Sequence, residues 1–543
     1  MSSRLVVGII YDKRGDPPYI SVNKLWKETV TIVSQKYDVE LLNVSSYNVE
    51  NNEEYRAFVE KIDILMLLSP YYTIDRTVKD FPMIFYGLGS MQKGGHWLVN
   101  NNNSFRSYDE TILNSSSCVY IFDELVMNNC LGREFIPFGV DISTFYPRNN
   151  KNEIRQKYDV PEDAFVMLYC GRINIQKNPA LLLSMLRDLK NKYPKLMLMF
   201  IGSYDNFYIS EFNDSEAPEI KNQFNEMIEK YDLADRIIFF ETQLDVNVYS
   251  EMINMADIGI NITTLISENF GYTPVEMQAC GLPVIGTDWG GLKDTIIDAV
   301  SGFRIETVQS EFGARINIEA AKDRIAFLID NRDKLKEMGK NARKNIEMNF
   351  SGEIFAKKLQ DLIKTTYDKF IKTAGFNKKI EINPIMINMT KKLYEKYKTC
   401  LHISDEHLHP EIDFEHYEMI ASKCASCRDN ETTWNKDTII SKGFDWGISG
   451  NKFVSYDPRW NMDFELKDCI LDDNDIHFLS LVKEGESVAE LIDNNKISLE
   501  KTMYYLKEFT KKGMIVPWEK NKNEIRYKSI WKRYSSFYYS FFH

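Results

Sequence analysis

The chain has 543 residues, which is more than one hydrophobic core normally organises and predicts about three domains. Its hydrophobic content of 44% and charged content of 27% are ordinary for a globular protein, and its net charge of −12 argues against a surface that binds nucleic acid throughout. No apolar run is long enough for a membrane span or a signal-peptide core, and the cysteines do not form a disulfide framework. We therefore expect a protein of the reducing cytoplasm without a transmembrane segment.

Short runs of apolar residues alternate with amphipathic stretches from the beginning of the chain. Six runs predict strands in the first part, at 4–10, 39–44, 62–69, 82–87, 118–122 and 134–139. After a polar stretch near 147–160, five more follow at 165–171, 196–202, 236–241, 258–262 and 283–287. Continuous apolar runs indicate strands buried on both faces, so the pattern predicts two facing, doubly wound α/β domains with helices on both sides of each sheet.

The pattern turns helical from about residue 315 and changes again after residue 373. Residues 374–439 are polar and irregular, whereas residues 440–520 contain three helix-like segments followed by the strand-like run MIVPW. This order resembles a winged helix-turn-helix and predicts a small α+β domain. The predicted bounds are 1–150 and 151–373 for the two α/β domains, 374–439 for a linker region, 440–520 for the winged-helix-like domain and 521–543 for a basic and aromatic tail.

Two cations follow the first strand of the second α/β domain, in the segment CGRINIQKNP. Arg172 comes directly after Gly171, and Lys177 stands before the next helix. Ligands of doubly wound sheets bind at the carboxyl ends of the strands, here in the cleft between the two domains, and cations at that edge suit a phosphate. The alternative is a solvated loop with two ordinary charges.

The segment ENFGYTPVE places two acids, Glu268 and Glu276, around an aromatic residue, a glycine and a proline. Thr273, Pro274 and Glu276 predict the start of a helix with a capping box. Gly271 allows close approach of the backbone to a ligand, and a helix start offers N–H groups to an anion. Local structure does not account for Glu268.

Four segments, in this order and spacing, resemble the retaining glycosyltransferases of family 4, which have the GT-B fold of two Rossmann-like domains. They are PFGVDISTFYP at 137–147, GRINIQKNP at 171–179, ENFGYTPVEMQACGLPVIGTDWGG at 268–291 and AVSGF at 299–303. The resemblance spans about residues 1–373 and is concentrated in 137–303. It implies transfer of a sugar from a nucleotide-diphosphate donor, with retention and without a metal.

The resemblance also implies roles for individual residues. Glu268 would contact the hydroxyls of the donor sugar, and Glu276 would hold the ribose hydroxyls. Arg172 and Lys177 would grip the diphosphate and stabilise it as it leaves. The donor-binding residues implied in this way are Gly171, Asn269, Phe270, Gly271, Tyr272, Thr273, Glu276 and Gly15.

The first domain departs from the family pattern. The family has a histidine facing the sugar, and the corresponding position here reads Tyr86-Gly87. His96 is the only histidine before residue 402 and is our candidate for a catalytic role. The alternatives are that Tyr86 replaces the histidine, or that the first domain lines the catalytic site with different residues. The glycine-rich first loop is reduced to Gly15.

His and Cys residues cluster between residues 400 and 427, where Cys424 and Cys427 have the spacing of metal ligands. A structural zinc held by this pair and two nearby histidines is one interpretation, and a coincidental cluster is the other. We expect no catalytic metal and no other cofactor.

The C-terminal domain is acidic. Residues 440–520 contain 11 Lys and Arg against 15 Asp and Glu, which favours a protein or peptide partner over duplex DNA. The tail has five basic residues and one acidic residue, so it could stack on nucleic acid, lie on a membrane surface or pack against the body. We expect a glycosyltransferase whose C-terminal third recruits a protein or peptide acceptor.

Two alternatives to this expectation stay open at this point. The first is transfer to a small molecule, a glycan or a nucleic acid. The second is a non-catalytic nucleotide-sugar sensor with a winged-helix output. The intact set of Arg172, Lys177, Glu268 and Glu276 argues against a sensor, because a decayed site should have lost one of them.

Overall fold

The computed structural model divides into two compact units. The first comprises Met1–Ile142, Ile266–Gly271 and Met348–Cys424, and the second comprises Ser143–Leu265, Tyr272–Glu347 and Ala425–His543. The residues that the structure describes are 4–11, 20–43, 53–68, 74–87, 104–126, 131–174, 177–204, 220–241, 245–264, 268–310, 313–373, 427–428, 434–442, 446–449, 452–455 and 471–518. The predicted ligand cleft between the two α/β domains stays a prediction.

The helices and strands alternate along most of the chain. The strands are β1 Val6–Tyr11, β2 Asp38–Asn43, β3 Ile64–Leu67, β4 Met83–Tyr86, β5 Glu110–Leu113, β6 Gly132–Phe135, β7 Phe165–Cys170, β8 Leu196–Ile201, β9 Ile237–Phe240, β10 Ile258–Asn261, β11 Val284–Thr287, β12 Gly302–Ile305, β13 Thr307–Ser310, β14 Gly313–Ile316, β15 Cys427–Arg428, β16 Ile439–Lys442, β17 Trp446–Ser449, β18 Lys452–Ser455 and β19 Ile515–Trp518. The helices are α1 Ile20–Ser34, α2 Glu53–Lys61, α3 Ser116–Leu125, α4 Lys151–Lys157, α5 Pro179–Leu189, α6 Ile220–Lys230, α7 Val246–Ile253, α8 Tyr272–Ala279, α9 Leu292–Thr295, α10 Ile318–Asp330, α11 Arg332–Asn349, α12 Gly352–Thr373, α13 Asp473–Leu481, α14 Val488–Asn495 and α15 Leu499–Lys511.

The first unit contains a six-stranded parallel sheet with the order β2-β1-β3-β4-β5-β6. Every residue of β3 and β4 is buried, which explains why these strands appear in the sequence as continuous apolar runs. The parallel α/β architecture predicted for the first part of the chain is confirmed.

One predicted strand of this unit is wrong. Residues 118–122 lie in helix α3, and the strand at this point of the chain is β5, which the sequence pattern missed. The hydroxyl of Ser115 caps α3 by accepting a hydrogen bond from the Cys118 amide at 3.2 Å. A run of five apolar residues fits a buried strand and a buried helix face equally well, so this cap decides the outcome.

Helix α12 corrects the predicted bounds 151–373, because it packs on the first unit. The side-chain amide of Gln360 donates to the carbonyl of Ile32 at 2.9 Å, and the Tyr37 hydroxyl donates to the Gln360 carbonyl at 2.8 Å. Lys369 forms an ion pair with Glu110 at 2.9 Å. These partners are more than 250 residues apart in sequence, so helical periodicity gives no signal of where the helix docks.

The second unit also has a six-stranded parallel sheet, with the order β12-β11-β10-β7-β8-β9. All five strands predicted for this domain are confirmed, and β12 was missed. The order reverses between β7 and β10. From β7 the strands β8 and β9 follow toward one edge of the sheet, and from β10 the strands β11 and β12 follow toward the other edge. Such a reversal leaves a crevice at the carboxyl ends of the two central strands, which is where ligands of doubly wound sheets bind.

A smaller module within the second unit contains α13, α14, α15 and two antiparallel strands, β16 and β19. The three predicted helices and the final strand are confirmed, whereas the assignment to the winged-helix class stays a prediction. Phe478, Leu506 and Phe509 form part of its core, and Ile439 packs against the core of the larger sheet. Leu499, the first residue of α15, is 45% exposed although its spacing with Leu506 and Phe509 is helical.

None of the helices that the structure describes is both long and apolar enough to cross a bilayer. Several predicted features lie outside the described residues, namely Gly15, His96, the histidines between 402 and 416, Cys424 and the tail at 521–543. Cys427 is described by its backbone alone, as part of β15, which pairs with β13. Among the described residues, no group of three or more His, Cys, Asp or Glu side chains could hold a metal ion.

Candidate active site

The loop after β7 carries the two predicted phosphate-binding cations on a tightly fixed backbone. Gly171 has φ +140°, a conformation that side chains other than glycine rarely adopt. Its amide donates to the Ile201 carbonyl at 3.0 Å, and the Tyr169 hydroxyl donates to the Arg172 carbonyl at 2.7 Å. Arg172 and Lys177 are both partly buried. The backbone that carries Arg172 is therefore preorganised at the strand-order reversal.

Asn178 joins this loop to the loop that follows β10. It precedes α5 with φ +54°, in the left-handed region, and Pro179 takes the first helical position. Its side-chain amide donates to the Ile262 carbonyl and to the Thr264 hydroxyl, both at 3.0 Å. Because Asn178 directly follows Lys177, these two bonds also fix the backbone that carries the lysine side chain.

Helix α8 begins earlier than the sequence indicated, and the predicted capping box is wrong. The turn at Gly271, with φ +81°, brings the helix start to Tyr272, so Thr273 lies inside the first turn. The Thr273 hydroxyl instead donates to the Cys170 carbonyl at 3.1 Å. The Glu276 carboxylate accepts a hydrogen bond from the Tyr249 hydroxyl at 3.2 Å. The first turn of α8 is thus tied to the carboxyl end of β7.

The other end of α8 is held equally firmly. Arg343 donates from one guanidinium nitrogen to the carbonyls of Ala279 and Phe145, at 2.8 and 2.6 Å. The side-chain amide of Gln278 donates to the Thr295 carbonyl at 2.9 Å. Every residue from Pro274 to Ala279 is buried. Glu276 therefore projects from a helix that is anchored at both ends.

The Glu276 carboxylate lies in a buried polar cluster with Tyr249 and Cys170. Burial raises the pKa of the Tyr249 hydroxyl well above its usual range, and the neighbouring Cys170 and Glu276 add to the effect. Burial also raises the pKa of the Cys170 thiol. Both groups consequently stay protonated over the physiological range, and the Tyr249 hydroxyl acts toward Glu276 as a permanent donor.

Residues 268–271 belong to the first unit, where Asn269 anchors them at the carboxyl end of β5. The side-chain oxygen of Asn269 accepts hydrogen bonds from the Ser115 hydroxyl at 3.2 Å and from the Cys118 thiol at 2.8 Å. Its amide group donates to the side chain of Asn114 at 3.2 Å. Glu268 itself is buried.

The ring of Phe270 contributes an apolar anchor to the same segment. It meets Phe138 edge-on, with the ring centroids 5.5 Å apart, and it also contacts Phe350. The backbone that precedes Gly271 is thus held by packing as well as by hydrogen bonds.

Tyr86, the alternative to His96, lies inside the first unit. Its side chain is fully buried, and burial raises the pKa of its hydroxyl, with a smaller opposing effect from the neighbouring hydroxyl of Thr29 in α1. A phenol in this position offers no surface to a donor sugar. The structure therefore does not support the alternative in which Tyr86 replaces the family histidine.

The predicted site residues fall into two described groups. Gly171, Arg172, Lys177, Tyr272, Thr273 and Glu276 belong to the second unit, and Glu268, Asn269, Phe270 and Gly271 belong to the first. Sequence reasoning missed the supporting residues Tyr249, Asn178, Ser115 and Asn114. Asn178 had a partial signal, because asparagine is one of the few residues other than glycine that visit the left-handed conformation and Pro179 marks a helix start. Tyr249 had none, since it lies 27 residues before Glu276.

The two parallel sheets and the fixed loops at their carboxyl edges define an α/β protein of the GT-B class, with two Rossmann-like domains. The crystal structure of the HepE protein of Anabaena, in complex with UDP and glucose, is similar to this fold with a TM-score of 0.50. The similarity covers 66% of this chain and 100% of that chain, at 16% sequence identity.

Residues 150–345 match the model of the family Glycosyl transferases group 1. A D-inositol 3-phosphate glycosyltransferase of Geodermatophilus obscurus is 31% identical over 175 residues, which are 32% of this chain and 36% of that protein. The capsular polysaccharide biosynthesis glycosyltransferase CapM of Staphylococcus aureus is 26% identical over 235 residues, 43% of this chain and 53% of that protein. The chain thus spans about a third to a half of the length of these curated relatives. The segment that carries Arg172, Lys177 and Glu276 is similar to group 1 glycosyl transferases.

Proposed function

We propose that the protein is a retaining glycosyltransferase of family 4 that transfers a sugar from a nucleoside-diphosphate donor. The observation that carries this proposal is the placement of the Arg172–Lys177 loop at the end of β7, where the strand order of the second sheet reverses. The match to group 1 glycosyl transferases over residues 150–345 supports it. The UDP and glucose bound by the similar HepE protein support a nucleotide sugar as the donor.

The charges at the site suit a diphosphate leaving group. As the bond between the anomeric carbon and the phosphate oxygen breaks, its electron pair stays on the diphosphate. Arg172, Lys177 and the N–H groups in the first turn of α8 provide preorganised positive charge for that oxygen. Glu276 accepts hydrogen bonds from the ribose hydroxyls, and Glu268 accepts hydrogen bonds from hydroxyls of the sugar.

The acceptor attacks the anomeric carbon from the same face of the sugar that the diphosphate leaves. Its hydroxyl oxygen forms the new bond to the anomeric carbon, and its proton passes to the departing phosphate. The stereochemistry is retained, and the protein supplies no covalent nucleophile in this scheme. The positive side chains and the helix start replace a metal ion at the diphosphate.

Release of a nucleoside diphosphate tests the proposal. The purified chain is incubated with a panel of UDP-, GDP- and ADP-sugars, and the freed nucleoside diphosphate is measured. We expect slow hydrolysis of at least one donor, and strong loss of it in a Glu268→Gln variant that keeps the size of the side chain. A nucleotide-sugar sensor would bind a donor without releasing it, and binding without hydrolysis by a folded protein would contradict the proposal.

We further propose that the acceptor is a protein or peptide that the C-terminal module recruits. The outer face of α15 carries charges of both signs, with Glu500, Lys501 and Lys507 exposed and Lys511 paired with Glu508 at 2.8 Å. A mixed face suits complementary pairs on a polypeptide better than a phosphate backbone.

A labelled donor distinguishes this acceptor class from the others. After incubation with a cell extract, we expect the label in material that a protease degrades, rather than in a small molecule, glycan or nucleic acid. A variant with Lys501→Glu and Lys507→Glu should reduce labelling and leave donor hydrolysis unchanged. Protease-resistant label, or full labelling by the variant, would contradict the recruitment of a polypeptide.

A further inference from the structure

We propose that Tyr249 is a positioning residue for the donor nucleotide, because it orients the Glu276 carboxylate that receives the ribose hydroxyls. This inference rests on the proposed function, since it concerns the same nucleotide-binding half of the site. Tyr249 lies in α7, outside the four family-like segments at 137–147, 171–179, 268–291 and 299–303.

The contact that supports the inference is direct and buried. The Tyr249 hydroxyl donates to Oε2 of Glu276 at 3.2 Å, and Glu276 is only 6% exposed. The Tyr249 ring meets Phe145 edge-on at a centroid distance of 5.8 Å, which fixes the ring. Because α8 is anchored at both ends, the remaining freedom of Glu276 is the rotation of its own side chain. The hydroxyl of Tyr249 restricts that rotation.

A carboxylate can accept several hydrogen bonds at once, about four for its two oxygens. The bond from Tyr249 therefore does not compete with ribose hydroxyls for capacity, and it sets the direction in which the carboxylate accepts them. Both ribose hydroxyls are neutral donors whose bonds to a carboxylate need good geometry. A carboxylate held in one orientation binds them without first losing rotamer entropy.

Hydroxyl removal separates this role from packing. Tyr249→Phe keeps the ring and its contact with Phe145, and it removes the hydroxyl together with its bond to Glu276 and its contact with the Cys170 thiol. The probes are the nucleoside diphosphate, among UDP, GDP and ADP, that stabilises the wild-type protein most, and its 2′,3′-dideoxy form. We expect Tyr249→Phe to weaken binding of the ribonucleotide by about fivefold to tenfold, the scale of one ordinary lost hydrogen bond. The affinity for the dideoxy form should change by less than about twofold, because this form lacks the hydroxyls that donate hydrogen bonds to Glu276.

Kinetics with the matching nucleotide sugar provide a second readout. The ribose contact is the same in the bound substrate and in the transition state, so its loss should raise the KM for the donor and leave kcat within about twofold. A structural defect in the protein would instead lower the active fraction and hence kcat.

The matched control is Tyr193→Phe. The Tyr193 hydroxyl donates to Asp330 at 2.8 Å in the same unit, so this variant also removes a bond from a tyrosine to a carboxylate. Tyr193 precedes β8 and lies at the opposite, amino edge of the sheet from the nucleotide site. We expect unchanged binding of both nucleotides by this variant.

The outcomes separate the inference from the proposed function. Equal weakening of the ribonucleotide and the dideoxy form, or no weakening of either by Tyr249→Phe, would overturn the positioning role. A wild-type protein that binds none of the three nucleoside diphosphates would overturn the proposed function itself.

Discussion

The side-chain oxygen of Asn269 lies 3.2 Å from the hydroxyl of Ser115, the residue that caps helix α3. Asn269 follows Glu268 directly, so the cap of a helix in the first unit fixes the backbone that carries a predicted catalytic acid. The same oxygen also accepts from the thiol of Cys118 in the first turn of α3. The position of Glu268 therefore depends on Ser115 and Cys118, which have no assigned contact with the substrate.

Substituting Asn269 should consequently affect turnover. Asn269→Ala removes three hydrogen bonds and frees the segment to shift, and a displacement of about 1 Å at a catalytic group can cost about a hundredfold in rate. We expect donor hydrolysis to fall by about tenfold to a hundredfold, with a loss of stability of about 1–3 kcal/mol from the buried partners left unpaired. Both are measured on the same preparation, by nucleotide release and by denaturant unfolding.

The control for that variant is Asn317→Ala, which removes a buried N-cap from α10 in the second unit. It should cost about 1 kcal/mol of stability and leave hydrolysis unchanged. An Asn269→Ala protein that is destabilised yet fully active would show that the segment does not need its anchor.

Arg172, Lys177 and Glu268 should each be essential to the chemical step. Alanine at any one of them should lower donor turnover by about a hundredfold or more, because Arg172 and Lys177 are assigned to the charge that develops on the leaving diphosphate and Glu268 to the reacting sugar. Arg187→Ala is the matched control, since Arg187 lies at the far end of α5 and pairs with the surface residue Asp188. Near-wild-type turnover in two of the three alanine variants would remove the basis for the site assignment.

Asn178 allows backbone conformation and hydrogen bonding to be separated. Asn178→Gly keeps the left-handed φ of +54° accessible and removes the bonds to Ile262 and Thr264, whereas Asn178→Ala also strains the backbone by about 1 kcal/mol or more. Both variants should bind the donor nucleotide about threefold to tenfold more weakly, since each loses the tie beside Lys177. Only the alanine variant should carry the extra loss of stability. Identical unfolding midpoints for the two variants would contradict the role of the left-handed conformation.

Donor hydrolysis should survive chelation. The positive charge at the diphosphate comes from Arg172, Lys177 and the first turn of α8, so EDTA should leave the rate unchanged. If the cluster at residues 400–427 holds zinc, prolonged chelation should lower the unfolding temperature without abolishing hydrolysis. Complete loss of hydrolysis with EDTA, restored by magnesium or manganese, would contradict the metal-free mechanism.

Much of the fold could be predicted from the sequence because its strands are buried on both faces. The strands β7, β8 and β10 contain only apolar, aromatic or cysteine residues apart from Gly259 and Asn261 in β10, and such continuous runs of strand length indicate strands buried on both faces. The run at 118–122 was wrong because five apolar residues also fit a buried helix face. The docking of α12 could not be predicted, since Gln360 and Ile32 are 328 residues apart.

The candidate site was predictable only where motifs are local. Arg172, Lys177 and Glu276 follow from their spacing and from the family resemblance, whereas the capping box failed because Gly271 moves the helix start to Tyr272. The bond between Tyr249 and Glu276 joins two helices, α7 and α8, which no single stretch of sequence encodes.

Calorimetric titration shows whether a nucleoside diphosphate binds at the carboxyl ends of β7 and β10. UDP, GDP and ADP are titrated into the wild-type chain and into Arg172→Ala, Glu276→Gln and the control Arg187→Ala. We expect at least one nucleotide to bind the wild type and the control equally, and the two site variants to bind it about tenfold or more weakly, the scale of a lost charge-assisted hydrogen bond. Absence of binding by all three nucleotides, or equal affinity in all four proteins, would contradict this expectation.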